Sequence, residues 1–277
     1  MSQIAALQWN VVFADPDENA RRAIEQIEML ARSGVELVAL PEAFLTGYCA
    51  RDAQEARRIS IPRDHAAIQA LQMASDRLGV TIIVGFAEDC GSHLANSAAI
   101  CIPGQPTEVF QKIHLPELGL DKHVEGGQEF RVFETPIGRV GVLICFDLRP
   151  PEASRMLTLM GADLIVLPTN WPEGAEVSAD HICIARAAEN KVFFLTCNRV
   201  GEENGFHFIG RSKIIGPKGH VLAAAEADET VLVADVDLTE ARNKQNVTIP
   251  GVYETAILAS RRPELYGLLV TEPDPRR

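Results

Sequence analysis

Two stretches of the chain share the same order of apolar and polar positions. Residues 34–44 read GVELVALPEAF and residues 161–171 read GADLIVLPTNW. Each has a glycine and an acidic residue, then four apolar residues, then a proline and a polar residue. A short apolar run between turn residues is typical of a fully buried strand. The proline ends that strand and directs the next residue into a loop at its carboxyl edge.

Similar elements are predicted around both copies. An amphipathic helix over 17–32, which Asp17 can cap, precedes the first copy, and a helix over 150–160 precedes the second. The elements predicted after the two copies are helices over 65–77 and 178–190, strands over 80–86 and 191–198, and hairpins over 97–112 and 212–225. Each half therefore reads β-α-β-α-β-β-β, which predicts two packed sheets with helices on their outer faces. The alternative is an unrelated doubly wound α/β fold that repeats βα units.

Composition narrows the class of protein. The chain has 277 residues, of which 47% are hydrophobic, and a net charge of −12. This excess of acid argues against nucleic acid or an anionic membrane as partner, since no surplus cations are present to displace counterions. Because no Pro/Gly/Ser-rich linker separates the halves, we expect one domain over 1–277, with a loose polar tail at 271–277.

The location of the protein is predicted from its apolar runs and its cysteines. The longest apolar runs have strand length, so no membrane span is predicted, and no secretory signal is visible. None of the six cysteines forms a CxxC pair, which favours a reducing cytoplasm. No nucleotide motif occurs, and the one close His/Cys pair has poor spacing for a metal, so we expect neither cofactor nor metal.

Three polar side chains stand at predicted strand ends. Glu42 follows the first Leu-Pro, Lys112 ends a hairpin strand, and Cys145 ends the strand RVGVLIC just before a helix. A thiol before a helix N-terminus, with an ammonium beside it, is expected to favour thiolate. Each residue alone is more often a loop carboxylate, a solvated lysine or a packed cysteine. Their combination in these contexts is what points to nucleophilic chemistry.

The contexts of these residues resemble a known family. LPEAFLTGY (40–48), QKIHLP (111–116) and GVLICFDLRPPEASR (141–155) resemble the three signature segments of the nitrilase superfamily of carbon–nitrogen hydrolases. PTNWP, RAAEN, CNRVG and RRPELY add further likeness, so that the resemblance covers nearly the whole chain. It implies an αββα sandwich with an internal pseudo-twofold repeat, and a catalytic triad of Glu42, Lys112 and Cys145. It also implies metal-free hydrolysis of amide-type bonds and a homo-oligomer, either a dimer or a larger assembly.

Other site residues follow from the same resemblance. The family often has a second acidic residue between the lysine and the cysteine, for which Asp121 is favoured over Glu117, and Glu125 lies in the same segment. The backbone N–H of Phe146 is the expected second donor to the oxyanion. Asn170 and Trp171 follow the second Leu-Pro, and internal symmetry with Glu42 predicts that they line the pocket. Tyr48, in the loop after Glu42, is a further candidate for the pocket lining.

The residues after Cys145 bear on the substrate. CFDLRPPE is similar to the pattern of omega-amidase-like branches, which implies a primary amide, and a dicarboxylic acid monoamide would fit if Arg149 or Arg199 met its carboxylate. The alternatives within the superfamily are an N-carbamoyl amidohydrolase and a nitrilase. The alternative of another class is a catalytically idle protein of the same fold that serves as a binding or scaffold protein.

Overall fold

The computed structural model describes residues 1–271 and contains sixteen strands and five α-helices within them. The strands are β1 (Ser2–Gln8), β2 (Val35–Ala39), β3 (Thr81–Asp89), β4 (Leu94–Cys101), β5 (Glu108–Gln111), β6 (Val132–Thr135), β7 (Gly138–Val142), β8 (Leu164–Thr169), β9 (Phe193–Asn198), β10 (Val200–Glu203), β11 (Phe206–Ile209), β12 (Lys213–Ile215), β13 (Val221–Ala224), β14 (Thr230–Val236), β15 (Asn246–Ile249) and β16 (Tyr253–Thr255). The helices are α1 (Pro16–Arg32), α2 (Ala53–Ile59), α3 (Ala66–Leu78), α4 (Pro151–Leu159) and α5 (Cys183–Asn190).

Two six-stranded sheets form the centre of the fold. Their strand orders are β14-β1-β2-β3-β4-β5 and β6-β7-β8-β9-β12-β13. Read in these orders, both sheets pair antiparallel, parallel, parallel, antiparallel and antiparallel. The two halves of the chain therefore build the same sheet twice, which confirms the predicted internal repeat and the two-sheet α/β class.

Alternation of side chains along the strands places the core between the sheets. In β1, Ile4 and Ala6 face a cluster that also contains Val142 and Leu164 of the second sheet, whereas Ala5 and Leu7 face the other way, toward α1 and α3. The central strands are apolar on both faces because each is covered by the other sheet on one side and by helices on the other. This is the layered αββα arrangement.

Helix α1 shows how local sequence sets an element. Pro16 occupies the first helical position, and the side chain of Asp15 accepts a hydrogen bond from Glu18 N at 3.1 Å. The predicted cap was Asp17, two residues too late; Asp17 instead lies in the first turn, where its charge favours the helix dipole. Ala20, Ala23 and Ile27 form the buried face against the first sheet.

Several elements were not predicted from the sequence. The short helix α2 and the hairpin β10–β11 are absent from the predicted pattern, and β14 adds an edge strand to the first sheet beside β1. The helix predicted over 178–190 begins as a π-helical turn, Ser178–Ile182, before α5. β7 ends at Val142 rather than at Cys145, so that the cysteine lies in a turn beyond the strand.

The described chain forms two compact units, Met1–Arg242 and residues 243–271. The second contains the hairpin β15–β16 and two short 3₁₀ turns, Pro263–Leu265 and Gly267–Val270. The single domain remains a prediction, and residues 272–277 of the predicted loose tail lie outside the described residues. Within residues 1–271, no helix is both long and apolar enough to cross a membrane.

Candidate active site

Glu42 lies in a tight turn after β2. Its side chain is fully buried, and the next residue, Ala43, has a left-handed φ of +47°, which is costly for a residue with a Cβ. The turn packs directly on Gly85 of β3, where a Cβ would lie 2.6 Å from the Cα of Glu42 and 2.3 Å from Ala43 N. Gly85 also donates its N–H to Pro41 O at 3.1 Å. A glycine at this point of the neighbouring strand is therefore what lets the carboxylate enter the core.

Cys145 lies at the corresponding edge of the second sheet, in an equally unusual backbone conformation. It begins a short 3₁₀ turn, Cys145–Leu148, with φ +45°, and its side chain is 8% exposed. Asp147 fixes this turn, because its Oδ2 accepts the N–H of Ile144 at 3.0 Å. Its Oδ1 accepts the backbone N–H of His114 at 2.8 Å and contacts His114 Nδ1 at 2.7 Å. Asp147 thus ties the cysteine turn to the segment that follows Lys112.

Lys112 joins two buried carboxylates. Its Nζ donates to Glu42 Oε1 at 2.8 Å and to Asp121 Oδ2 at 2.6 Å, and both contacts are closed to solvent. Asp121 reaches this place on a 3₁₀ turn, Gly119–His123. Its Oδ2 also accepts a hydrogen bond from the Tyr48 hydroxyl at 2.7 Å. Two carboxylates and one ammonium leave the cluster with a formal charge of −1 when both acids are ionised.

Asn96 of β4 completes this cluster. Its Nδ2 donates to Glu42 Oε1 at 2.7 Å and to Asp121 Oδ1 at 2.8 Å, so one amide holds both acids. Its backbone oxygen accepts the N–H of Lys112 at 2.8 Å. All the donors to Glu42 converge on Oε1, while Oε2 is buried and has no hydrogen-bond partner among the described residues. One oxygen is therefore anchored, and the other is free to exchange a proton.

The charges of the cluster act strongly on one another. Burial alone would lower the pKa of Lys112, but Asp121 and Glu42 outweigh it and hold that pKa well above its ordinary value. Burial raises the pKa of Glu42, and the nearby charge of Asp121 raises it further, against the opposing effect of Lys112 and Asn96. The ammonium is thus permanent, whereas the Glu42 carboxylate is a stronger base than a solvated one.

The protonation state of Cys145 differs from the sequence-based expectation. Burial raises the pKa of its thiol to about 12, and the charge of Glu42 adds to this effect, while Lys112 lowers it. The expectation that a helix start and a lysine favour thiolate was wrong, because desolvation of a buried thiol outweighs both. The thiol is neutral at pH 7 and needs a base to react. The Glu42 charge acts on it directly, and the backbone N–H of Asn170 also faces it.

Comparison with known proteins places this geometry in a family. The carbon–nitrogen hydrolase family model matches residues 3–245. The chain belongs to the carbon–nitrogen hydrolase family. It is 38% identical to a nitrilase of Pyrococcus abyssi (strain GE5 / Orsay) over 96% of this chain and 99% of that protein. It is 32% identical to a 2-oxoglutaramate amidase of Bacillus subtilis (strain 168) over 86% and 91% of the two chains.

The fold of this carbon–nitrogen hydrolase is also that of solved structures. A variant of the Nesterenkonia AN1 amidase from the nitrilase superfamily superposes with a TM-score of 0.83 over 97% of each chain, at 22% identity. At this identity the likeness concerns the fold alone. Family membership and fold together confirm the superfamily and the hydrolase class that the three sequence segments predicted.

The structure brings most of the predicted site residues of this carbon–nitrogen hydrolase into one region. Of the two candidates for a second acid, Asp121 lies in the cluster, whereas Glu117 is exposed. Asn170 donates its Nδ2 to the backbone oxygen of Glu42 at 2.9 Å, and its Oδ1 is buried without a partner among the described residues. Tyr48 is buried, and its hydroxyl is bound to Asp121.

Other predicted residues lie at the edges of this region. Trp171 is buried beside Asn170, with its backbone held by the side chain of Asn198. Phe146, the residue whose N–H was predicted as an oxyanion donor, is 37% exposed. Of the two arginines considered for a substrate carboxylate, Arg149 is exposed, and Arg199 is buried in an ion pair with Glu203 at 2.7 Å.

Two residues in this region were not predicted. Asn96 is the amide in the apolar strand LANSAAIC, and a lone buried amide in such a strand is the signal that could have found it. Glu203 accepts the backbone N–H groups of Tyr48 and Cys49 from a hairpin that the sequence pattern did not reveal. Nothing in the sequence around position 203 indicates that contact.

Proposed function

We propose that this carbon–nitrogen hydrolase converts a small primary amide to a carboxylic acid and ammonia through a thioester on Cys145. The observation that carries the proposal is the difference between the two carboxylate oxygens of Glu42. Its Oε1 is anchored by Lys112 and Asn96, its Oε2 is buried without a partner among the described residues, and its charge acts on the buried Cys145 thiol, whose pKa is raised to about 12. A buried carboxylate of raised pKa whose charge acts on a neutral thiol suits general-base activation of that thiol.

The reaction divides into two halves that use the same three residues. In the first, Glu42 Oε2 takes the Cys145 proton while the sulfur bonds to the amide carbon, and the amide oxygen becomes an oxyanion. The Lys112 ammonium and the Phe146 N–H stabilise that oxyanion. Collapse of the intermediate breaks the carbon–nitrogen bond, and Glu42 gives its proton to the nitrogen, which leaves as ammonia. A thioester remains on Cys145.

In the second half, water replaces ammonia in the reverse sequence. Glu42 takes a proton from water, the hydroxide oxygen bonds to the thioester carbon, and the same donors hold the second oxyanion. The carbon–sulfur bond then breaks, and the thiolate recovers the proton from Glu42. Asp121 takes no proton in this scheme; with donors on both oxygens, it balances the Lys112 charge and keeps the ammonium in place.

The choice of amide over nitrile follows from the oxyanion. An amide reaches the thioester through a single tetrahedral oxyanion, for which a fixed ammonium and an N–H are suited, whereas a nitrile first forms a thioimidate that must take up water. We expect kcat/KM for the best primary amide to exceed that for the matching nitrile at least ~100-fold, a difference of about 2.7 kcal/mol in the transition state. The nitrilase named among the relatives supports the nitrile as second candidate.

The test is ammonia release from matched amide, nitrile and N-carbamoyl substrates that share one acyl group. Cys145→Ala should abolish release, and Cys101→Ala, the same change at a buried thiol of β4, should leave it intact. Equal or faster turnover of nitriles would refute the amide as substrate. A folded protein that releases no ammonia from any of the three substrate classes would favour the idle scaffold instead.

For the acyl group of the substrate, we propose a short chain that ends in a carboxylate, by likeness to the 2-oxoglutaramate amidase.

We also propose that the protein is a cytoplasmic homo-oligomer. All six cysteines are unpaired, which is typical of a reducing compartment. The side chains of Met156, Leu159 and Met160 project from one face of α4 and its C-terminus, and each is more than a third exposed. A second copy of the chain is the occupant we propose for this apolar face. Light scattering coupled to gel filtration tests it, and a monomer at micromolar concentration would refute it.

A further inference from the structure

The hairpin β10–β11 is built around a buried ion pair. A two-residue turn, Asn204-Gly205, joins its strands with φ values of +47° and +87°, as the tight hairpin turn with two left-handed residues requires. Arg199 precedes the hairpin and is 1% exposed. Its Nη1 donates to Glu203 Oε2 at 2.7 Å and its Nη2 to Asn10 Oδ1 at 2.7 Å. A paired and hydrogen-bonded guanidinium of this kind holds its partner carboxylate in one position.

The second oxygen of that carboxylate holds the loop after Glu42. Glu203 Oε1 accepts the backbone N–H of Tyr48 at 2.7 Å and that of Cys49 at 2.5 Å. The neighbouring Asn204 donates its Nδ2 to Cys49 O at 2.7 Å. Two consecutive residues of the hairpin therefore hold the backbone polar groups of two consecutive residues of the loop. No catalytic step of the proposed mechanism uses either hairpin residue.

Tyr48 transmits this restraint to the acid beside Lys112. Its hydroxyl donates to Asp121 Oδ2 at 2.7 Å and contacts Leu118 O at 3.1 Å, and its backbone oxygen accepts the N–H of Leu120 at 2.8 Å. The turn that carries Asp121 lies against the Tyr48 ring, since a Cβ on Gly119 would be 2.8 Å from its Cε1. Tyr48 thus holds the segment that carries Asp121 through three polar contacts.

We propose that Glu203 is a positioning residue for the reaction, which acts through Tyr48 to hold Asp121 against Lys112. The inference rests on the proposed function, because its consequence is a change in turnover. The Arg199–Glu203 ion pair holds the backbone of the loop at Tyr48, and the Tyr48 side chain then places its hydroxyl against the Asp121 carboxylate. If the loop moves by a few tenths of an ångström, the short Tyr48–Asp121 bond lengthens, and the ammonium loses part of its counter-charge.

The experiment is a double-mutant cycle between the hairpin and the phenol. Glu203→Gln removes the charge opposite Arg199, and Tyr48→Phe removes the hydroxyl. We expect each to lower kcat roughly 10-fold and the double variant to lie within about 3-fold of either single one, because residues that act in series give non-additive losses. The matched control is Glu202→Gln, the same change at the exposed neighbouring residue, which should leave kcat within 2-fold.

A second hairpin variant tests the same inference in case Glu203→Gln does not fold. Asn204→Gly removes the bond to Cys49 O without leaving a buried charge unpaired, and glycine suits the left-handed φ at this position. We expect a roughly 3-fold loss of kcat that is again non-additive with Tyr48→Phe. Circular dichroism and thermal melting measure the folded fraction of every variant, and kcat is expressed per folded enzyme.

The pH–rate profile separates positioning from a merely structural role. The charged and titratable groups that face Asp121 are Lys112, Glu42 and Tyr48. The charge of Asp121 acts on the pKa of Glu42, so displacement of the Asp121 carboxylate should move the acid limb by the same amount in Glu203→Gln and in Tyr48→Phe. A structural role would reduce the amount of active enzyme and leave the limb in place.

The outcomes separate this inference from the proposed function. Shared, non-additive losses with a shifted acid limb support the inference. Wild-type kcat in both hairpin variants, or losses that multiply with Tyr48→Phe, overturns it while amide turnover by the wild type stands. Absence of ammonia release from the wild-type protein on the whole substrate panel overturns the proposed function and the inference with it.

Discussion

Replacing Asn96 by leucine tests whether the buried cluster, rather than the triad alone, sets reactivity. The change keeps the approximate size of the side chain and removes the one amide that donates to both Glu42 and Asp121. A hydrogen bond to a charged group contributes about 1.5–3 kcal/mol. Lys112 still bridges both acids in the variant, so we expect a loss of about 2–4 kcal/mol in the free energy of unfolding rather than the full sum of the two bonds.

The effect on turnover follows from the bond to Glu42. If the free energy of that single bond is lost from the reacting state, kcat/KM falls roughly 10- to 150-fold. The direction of the pH effect is also fixed. The Asn96 bond lowers the pKa of Glu42, so its removal raises that pKa further above its ordinary value. Because the base works as a carboxylate, less of it is ionised at a given pH, and the acid limb of the profile moves to higher pH.

The assay is steady-state ammonia release across pH, with urea unfolding on the same samples. The control is Ser75→Ala in α3, which removes a buried hydrogen bond from the Ser75 hydroxyl to Cys101 O of β4, away from the cluster. It should cost about 1 kcal/mol of stability and leave the acid limb unchanged. An Asn96→Leu protein with a wild-type acid limb, whatever its stability, would refute the reasoning that Asn96 tunes the base.

Three further predictions concern the triad. Glu42→Gln and Lys112→Met should each remove nearly all turnover in a folded protein, and the double variant should be little worse than either; substantial turnover by Glu42→Gln would mean that another group is the base. Burial raises the pKa of Glu42 above 4.5, the ordinary pKa of a glutamate, so as the pH falls, kcat/KM of the wild type should begin to decline before pH 4.5 is reached. A pH profile that stays flat down to pH 4.5 would contradict this. Iodoacetamide should alkylate Cys145 at neutral pH only when Glu42 can take the thiol proton. Peptide mapping should therefore show that Glu42→Gln loses the labelling of Cys145, while labelling of the half-buried Cys90 is unchanged. Equal labelling of Cys145 in the wild type and in Glu42→Gln would exclude Glu42 as the base.

The sequence by itself determined the elements and the three segments that carry the triad. Apolar runs ended by a proline specify buried strands wherever they occur, and a repeated run of this kind specifies a repeated sheet. The positions of Glu42 and Cys145 at sheet edges therefore follow from the order of residues in the chain. Boundaries were less well determined: Asp15 rather than Asp17 caps α1, and β7 ends three residues before Cys145.

Tertiary structure alone decided the electrostatics of the site. Asn96, Tyr48 and Asp121 come from separate segments, and only the folded chain brings their polar atoms around Lys112. The same holds for the thiol of Cys145, because desolvation depends on everything that surrounds a group, whereas a helix start and a nearby lysine can be read from neighbouring residues. Local sequence predicts where a functional group lies along the chain, and its protonation state is fixed by the burial that the two packed halves create together.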